Sequence, residues 1–263
     1  MVSSFTAAKE YIIQQLVDIY IQLEGLQLSH IGRPIFENDA SGGVRIGPAF
    51  FDYDTNASSI PQGPFSTSFE WYKACIEHRQ SLIQRGEVAT SAPKDAALAC
   101  NYLLDCVHSG LVHGDYNSGP FYLKHVDTRD VNYLIDDNYT IMGIIDWELA
   151  FAAPKESAFQ SPVFMFNIGH VYQGNRLSPD EELFAEQFVK VGCKDLAQFV
   201  REGWNSFVFE MCAAADPYDR AQFERLLCTL WGSMNDKSEK ELSWEEWKSM
   251  VQRDHTDESP VAE

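Results

Sequence analysis

Between Phe121 and Ile145 the spacing of apolar residues switches from a helical period to short alternating runs, which sets a small strand cluster inside an otherwise helical chain. Three segments carry the switch: Phe121-Tyr122-Leu123-Lys124, Asn132-Tyr133-Leu134-Ile135-Asp136 and Tyr139-Thr140-Ile141-Met142-Gly143-Ile144-Ile145. Asp136-Asp137-Asn138 reads as the turn of a hairpin between the last two. Upstream, Ile12, Ile13, Leu16, Tyr20 and Leu23 form the apolar stripe of a helix over residues 8–24, ended by Gly25. Gly and Pro punctuate residues 33–64, predicting a loop that carries a small hairpin around Val44-Arg45-Ile46. Thr67-Ser68-Phe69-Glu70 is a capping box for a helix through about Arg85, and another helix follows Pro93 and stops near Gly110. Beyond Pro154 the pattern is helical again, with capping boxes at Ser178–Glu181 and Ser243–Glu246. The expected fold is α+β and mostly helical, one body over residues 1–252 followed by a polar, frayed tail over 253–263.

Composition narrows the function classes. At 263 residues and 45% hydrophobic content the chain can bury a core, which excludes disorder throughout. A formal charge of −19 leaves no general basic surface for a nucleic acid. The longest apolar stretches are interrupted too soon for a membrane span, and the first residues show no secretory signal, so the expected location is the cytoplasm. Six cysteines show neither a CxxC pair nor a Cys/His zinc spacing and are expected as reduced, mostly buried thiols.

Polar residues with chemical potential concentrate in one place, His125-Val126-Asp127-Thr128-Arg129-Asp130-Val131-Asn132, with Asp146-Trp147-Glu148 arriving at the end of the following hairpin. Asp127 can accept a proton from a hydroxyl nucleophile, and Asn132 and Asp146 offer the hard oxygens that Mg²⁺ prefers alongside phosphate oxygens. That is the inventory of phosphoryl transfer, which asks mainly for positioning and charge neutralisation.

The pattern H-x-D-x-x-x-x-N, a hairpin and then Ile144-Ile145-Asp146-Trp147-Glu148 resembles the catalytic core of the aminoglycoside phosphotransferase and choline kinase-like family, particularly its fungal members. Gly119–His125 and Met142–Ala150 carry the likeness most closely, and His30-Ile31-Gly32, Val44–Pro48 and Gly63–Ser66 extend it more loosely. The resemblance implies the mostly helical C-terminal lobe of a protein-kinase-like fold. It implies Asp127 as catalytic base, His125 as a buttress of the loop, and Asn132 and Asp146 as ligands of Mg²⁺ and, through it, of ATP. It also implies a small-molecule acceptor, with the acidic surface suiting a cationic amine or amino-alcohol. Such kinases carry a glycine-rich loop, a strand lysine and its glutamate partner in an N-terminal lobe. This sequence shows no glycine-rich loop before its first predicted helix, so the expectation is a C-terminal lobe alone, weak or inactive in transfer without an N-terminal lobe.

Two positions depart from the family pattern: Val126 stands where Gly is frequent, and Val131 where a small residue is common. A rival motif, His113-Gly114-Asp115-Tyr116-Asn117, opens more like the family's H-G-D but has Pro120 at the amide-ligand spacing. His30, His78, His108 and His170 read as packed or solvent-facing side chains, Trp147 as packing under the hairpin, and the acidic run Glu239–Glu246 as a solvated helix face. Three classes stay open: a phosphotransferase; a pseudokinase that kept the fold for binding; and a metal-dependent hydrolase using His113, Asp115, His125, Asp127 and Asp146.

Overall fold

Helix α1 (Val2–Glu24) places Ile13, Leu16, Val17 and Tyr20 on one buried stripe, and Gly25 closes it by donating to the Ile21 carbonyl. In this computed structural model of the protein, the described residues are 2–36, 43–49, 63–86, 93–111, 114–166, 177–214, 220–235 and 242–257. They form an α+β structure, mostly helical with small antiparallel sheets. No described helix is long and apolar enough to cross a membrane.

Contacts divide the chain into two compact units. The first comprises residues 1–71, 112–167 and 177–204. Its core joins the α1 stripe to Tyr122, Phe159, Phe184, Phe188 and Phe199. Phe184 and Phe188 lie on helix α5 (Pro179–Lys190), and Phe199 on helix α6 (Lys194–Ala214). Tyr20 meets Phe184 edge to face at 5.2 Å, the arrangement that the ring quadrupoles favour. At the N-terminus of α5 the Ser178 capping box is complete, each partner satisfying the other's free N–H.

The described strands of this unit form three small sheets. One is β1 (Gln27–Leu28), β4 (Phe121–Lys124) and β7 (Phe151–Ala153), in the order β1-β4-β7. The second is the hairpin β2 (Arg33–Phe36) and β3 (Val44–Gly47), at the place where the sequence suggested one. The third is the hairpin β5 (Tyr133–Ile135) and β6 (Ile141–Ile144). Strands β1 and β7 escape a periodicity reading because they are only two and three residues long. A short helix, α4 (Lys155–Ala158), follows Pro154 directly.

The second unit comprises residues 72–111, 168–176 and 205–263. Most of helix α2 (Ser68–Gln84), helix α3 (Pro93–Cys106), the C-terminal half of α6, helix α7 (Arg220–Met234) and helix α8 (Trp244–Asp257) lie in it. Tyr72 meets Phe209 and Tyr102 meets Trp247 edge to face, while Leu226, Leu227, Leu230 and Trp231 give α7 its buried side. At the start of α8, the Ser243 hydroxyl accepts from Glu246 N–H and the Glu246 carboxylate accepts from Ser243 N–H, as the capping box requires. The helix continues through Asp257, past the fraying expected from Arg253. All six cysteines are free, four buried and two half-buried. Burial raises the Cys106 and Cys228 thiols to about 12, so both are protonated and inert.

Candidate active site

The site is built on the β5–β6 hairpin. Asp136 makes its turn, its carboxylate accepting N–H bonds from Asn138 at 2.9 Å and Thr140 at 2.8 Å, which lowers its pKa. Tyr139 takes a left-handed conformation (φ 63°). The tip is tied to α1 through Gln15, whose amide donates to the Tyr139 carbonyl at 2.9 Å and accepts from Ile141 N–H at 2.9 Å, as a neighbouring strand would. Tyr133 and Ile141 pack onto the first unit's core. Between Leu134 and Ile135 the register shifts, and Met142 is 69% exposed beside the shift.

At the open end of this hairpin four hydrogen bonds close a ring. Ile145 N–H donates to the Asn132 carbonyl at 3.0 Å, extending the ladder by one rung. The Asn132 side-chain NH₂ donates to the Asp127 carbonyl at 2.9 Å. Asp127 N–H donates to His125 Nδ1 at 3.2 Å, and His125 Nε2 donates to the Ile145 carbonyl at 2.8 Å. Buried His125 thus holds the loop with both ring nitrogens, and Trp147 closes over it edge to face at 4.6 Å while donating its own N–H to the Ile144 carbonyl. The ring fastens the loop to the strand that delivers Asp146. Val126 is half-buried and Val131 exposed, and the ring closes with both in place.

Three side chains stand on this frame. Asn132 is buried; its NH₂ is committed to the loop, which leaves Oδ1 as its donor for a cation. Exposed Asp146 has φ 70°, a left-handed conformation that a non-glycine residue keeps only when its surroundings enforce it, and such strain collects at functional sites. Half-buried Asp127 is held by a residue the sequence reading did not single out. Arg129 donates Nε–H to Oδ1 at 2.7 Å and Nη2–H to Oδ2, a two-pronged pair. The Arg129 side-chain bonds, helped by its backbone N–H and by Asn132 against the effect of burial, lower the Asp127 carboxyl to about 2. The attraction of Asp127, and more weakly of Asp146 and Asp130, holds the guanidinium above its ordinary pKa. A D-x-R spacing was the only signal available for this partner, and it is too common to stand out.

The other candidates fall elsewhere. Asp115 is exposed on a single turn (Gly114–Tyr116), with Tyr116 packed edge to face on Phe199. Asn117 takes up the first N–H groups of α2, its backbone oxygen accepting from Ser68 and its side chain from Phe69. His113 and His170, and Glu239 to Glu241 of the acidic run, lie outside the described residues. His108 is exposed, and His30 Nδ1 lies 2.9 Å from the Ser29 hydroxyl. Glu148 is exposed.

Among the described residues no group of three or more His, Cys, Asp or Glu side chains is placed to hold a metal. Asn132 with Asp146 is a different kind of donor set, one amide oxygen and one carboxylate. It fits Mg²⁺, which takes one or two carboxylates from the protein and the rest of its shell from water and phosphate. The chain matches no protein-family model, no curated protein and no solved structure.

Proposed function

We propose that this chain is an ATP- and Mg²⁺-dependent phosphotransferase domain with a protein-kinase-like fold, acting on a hydroxyl group of a small, cationic acceptor. The observation that carries the reading is the closed ring through His125, Asp127, Asn132 and Ile145, which gathers a carboxylate, an amide and the strained Asp146 at one hairpin end. Positioning of this kind is the main demand of phosphoryl transfer.

In this reading Asn132 and Asp146 hold the metal. Bound there, Mg²⁺ supplies neutralisation of the phosphate charge. Asp127 receives the acceptor hydroxyl, orienting it and taking its proton as the oxygen attacks. His125 stays a positioning residue, since both its nitrogens are spent on the frame. The exposed carboxylates of Asp130 and Glu148 beside the site residues in sequence, with a chain charge of −19, favour an amine-bearing acceptor over an anionic one.

A hydrolase reading would ligate a metal through His125, and its ring has no nitrogen left to give. A pseudokinase reading draws support from one observation, the occupation of Asp127 by Arg129. Turnover separates it from the main reading. With ATP, Mg²⁺ and a panel of amino-alcohols and aminoglycosides, Asp127→Asn should lose roughly 10²- to 10⁴-fold in rate, the usual worth of a general base. Asp115→Asn should leave the rate near that of the parent. Loss at Asp115 instead would move the catalytic loop upstream, and absence of turnover in the parent would favour the binding module.

A further inference from the structure

We propose that the face shared by helix α1 and the tip of the β5–β6 hairpin is a docking surface for an extended, basic segment of a partner protein that carries aliphatic residues between its cations. The tip is the end of the hairpin opposite to Asn132 and Ile145, and the inference does not rest on the phosphotransferase reading. Gln15 joins the two halves of the surface. Its amide nitrogen donates to the Tyr139 carbonyl at 2.9 Å and to the Tyr11 carbonyl at 3.2 Å, so the two tyrosines are neighbours. Both are open to solvent, Tyr11 at 48% exposure and Tyr139 at 52%. Ile135 pairs across the hairpin with Ile141, which packs against the core that α1 enters; Ile135 therefore lies on the α1 side, and it stays 43% exposed.

At Tyr139 the backbone works against the ring. Its N–H donates to the Asp136 carbonyl at 3.0 Å and closes a turn whose last position is left-handed, where glycine or asparagine is the ordinary occupant. A bulky side chain there strains the chain and, half exposed, recovers little by burial; strain of this kind persists at ligand clamps. The surrounding charge sets the sign of the partner. Helix α1 and the hairpin hold five carboxylates, Glu10, Asp18, Glu24, Asp136 and Asp137, against one cation, Lys9. Lys9 is drawn to Asp180 on α5 and Glu24 to Lys155, while Asp136 engages the N–H groups of the turn. Asp18 and Asp137 are exposed, the first on the helix face of Tyr11 and Gln15, the second in the turn. Tyrosine faces attract guanidinium groups, carboxylates pair with them, and Ile135 offers an aliphatic contact. From Tyr11 to Asp18 the face runs about 10 Å along α1, which about three extended residues span and a single small amine does not. The same carboxylates repel a polyanion.

The test titrates the full, isotope-labelled chain with an acetylated hexapeptide of alternating arginine and leucine. Amide resonances of residues 11–18 and 135–141 should move first. Tyr139→Gly is the deciding variant, because glycine suits the left-handed position and removes only the ring. It should weaken the peptide about fivefold, the scale of one exposed cation–π contact. Its melting temperature should rise or fall by no more than about 2 °C, since the ring serves the partner and not the fold. Tyr11→Ala should weaken the peptide by a similar factor, and a hexapeptide of alternating arginine and glycine should bind several-fold less tightly than the leucine peptide. Shifts spread over the acidic surface, parent-like affinity in Tyr139→Gly or in Tyr11→Ala, a larger fall in the melting temperature of Tyr139→Gly, or equal affinity for the glycine peptide would each overturn the inference.

Discussion

Two cations in the first unit, Lys155 and Arg129, make ion pairs of similar length that differ in kind. Lys155, at the start of α4, has a side chain only 7% exposed and reaches Glu24 at the end of α1 at 2.6 Å and Asp195 in the first turn of α6 at 2.7 Å. The rings of Tyr116, Tyr122 and Phe199 lie 5.1 to 5.8 Å from its ammonium. Desolvation pulls the Lys155 pKa down, and the bonds from Asp195 and Glu24 outweigh it, so the net shift is upward. Arg129 has one partner, two residues away, and solvent on its other side. The buried cation ties three helices; the exposed one ties nothing but the carboxylate it occupies. An ion pair that joins distant elements cannot open without loosening them, whereas one between loop neighbours can open alone.

The comparison breaks most visibly at the buried end. Lys155→Met should destabilise the protein by about 3 kcal/mol, because it leaves two carboxylates facing an aromatic cluster without their cation. A urea midpoint would register this, and a loss under about 1 kcal/mol would mean that Glu24 and Asp195, both partly exposed, rehydrate freely.

The ring comes next. His125→Ala and Asn132→Ala should each cost about 2 kcal/mol, as buried hydrogen-bonding groups lose partners. The double variant should cost less than the sum, since either change opens the same ring. Faster hydrogen exchange at the Ile145 amide would localise the effect, and strict additivity would show that the four bonds do not act together.

Smaller again is Gln15→Ala, expected to cost about 1 kcal/mol and to expose the Ile141 amide to exchange, because two hairpin groups lose an exposed partner. Retained protection at Ile141 would mean that the hairpin holds its tip unaided.

At the exposed end, Arg129→Ala should lower the denaturation midpoint at pH 7 only slightly, because solvent screens the pair, and move one carboxyl visibly. The Asp127 pKa, about 2 in the folded protein, should rise toward the usual range, as followed by carboxyl carbon NMR. A folded pKa below the unfolded value means that the pair's contribution is present above the unfolded pKa and is lost as the pH falls from there through about 2. High salt should shrink the difference between parent and variant. An Asp127 resonance indifferent to the substitution would remove the pair from the account.

The same contrast marks what the sequence could disclose. The strand cluster, its turn at Asp136-Asp137-Asn138, the capping boxes at Ser178 and Ser243 and the long amphipathic α1 all rest on local rules, and local rules are legible. At α2 the rule held in part, for the Thr67 hydroxyl accepts from Glu70 N–H while the Glu70 carboxylate accepts from Ser66 instead of Thr67. What escaped was set by distant parts of the chain. Lys155 meets partners 131 residues before it and 40 after it, and Gln15 meets a hairpin tip 124 residues away, with no motif in either case. Strand β7 hides in Phe151-Ala152-Ala153, where small residues suit burial against β4 but give no alternation to read. In the candidate site, motif spacing singles out Asp127, Asn132 and Asp146, whereas the left-handed backbone of Asp146 and the occupation of Asp127 by Arg129 become visible only in the fold.

The most direct test of the proposed site uses Mn²⁺ as a paramagnetic substitute for Mg²⁺, added with ATP to the isotope-labelled protein. If Asn132 and Asp146 hold the metal, amide resonances of residues 131–133 and 145–147 should broaden first, at metal concentrations well below those affecting other acidic positions, and Asp146→Ala should abolish that selectivity. Broadening spread over the acidic surface, or centred on Asp115, would contradict the account.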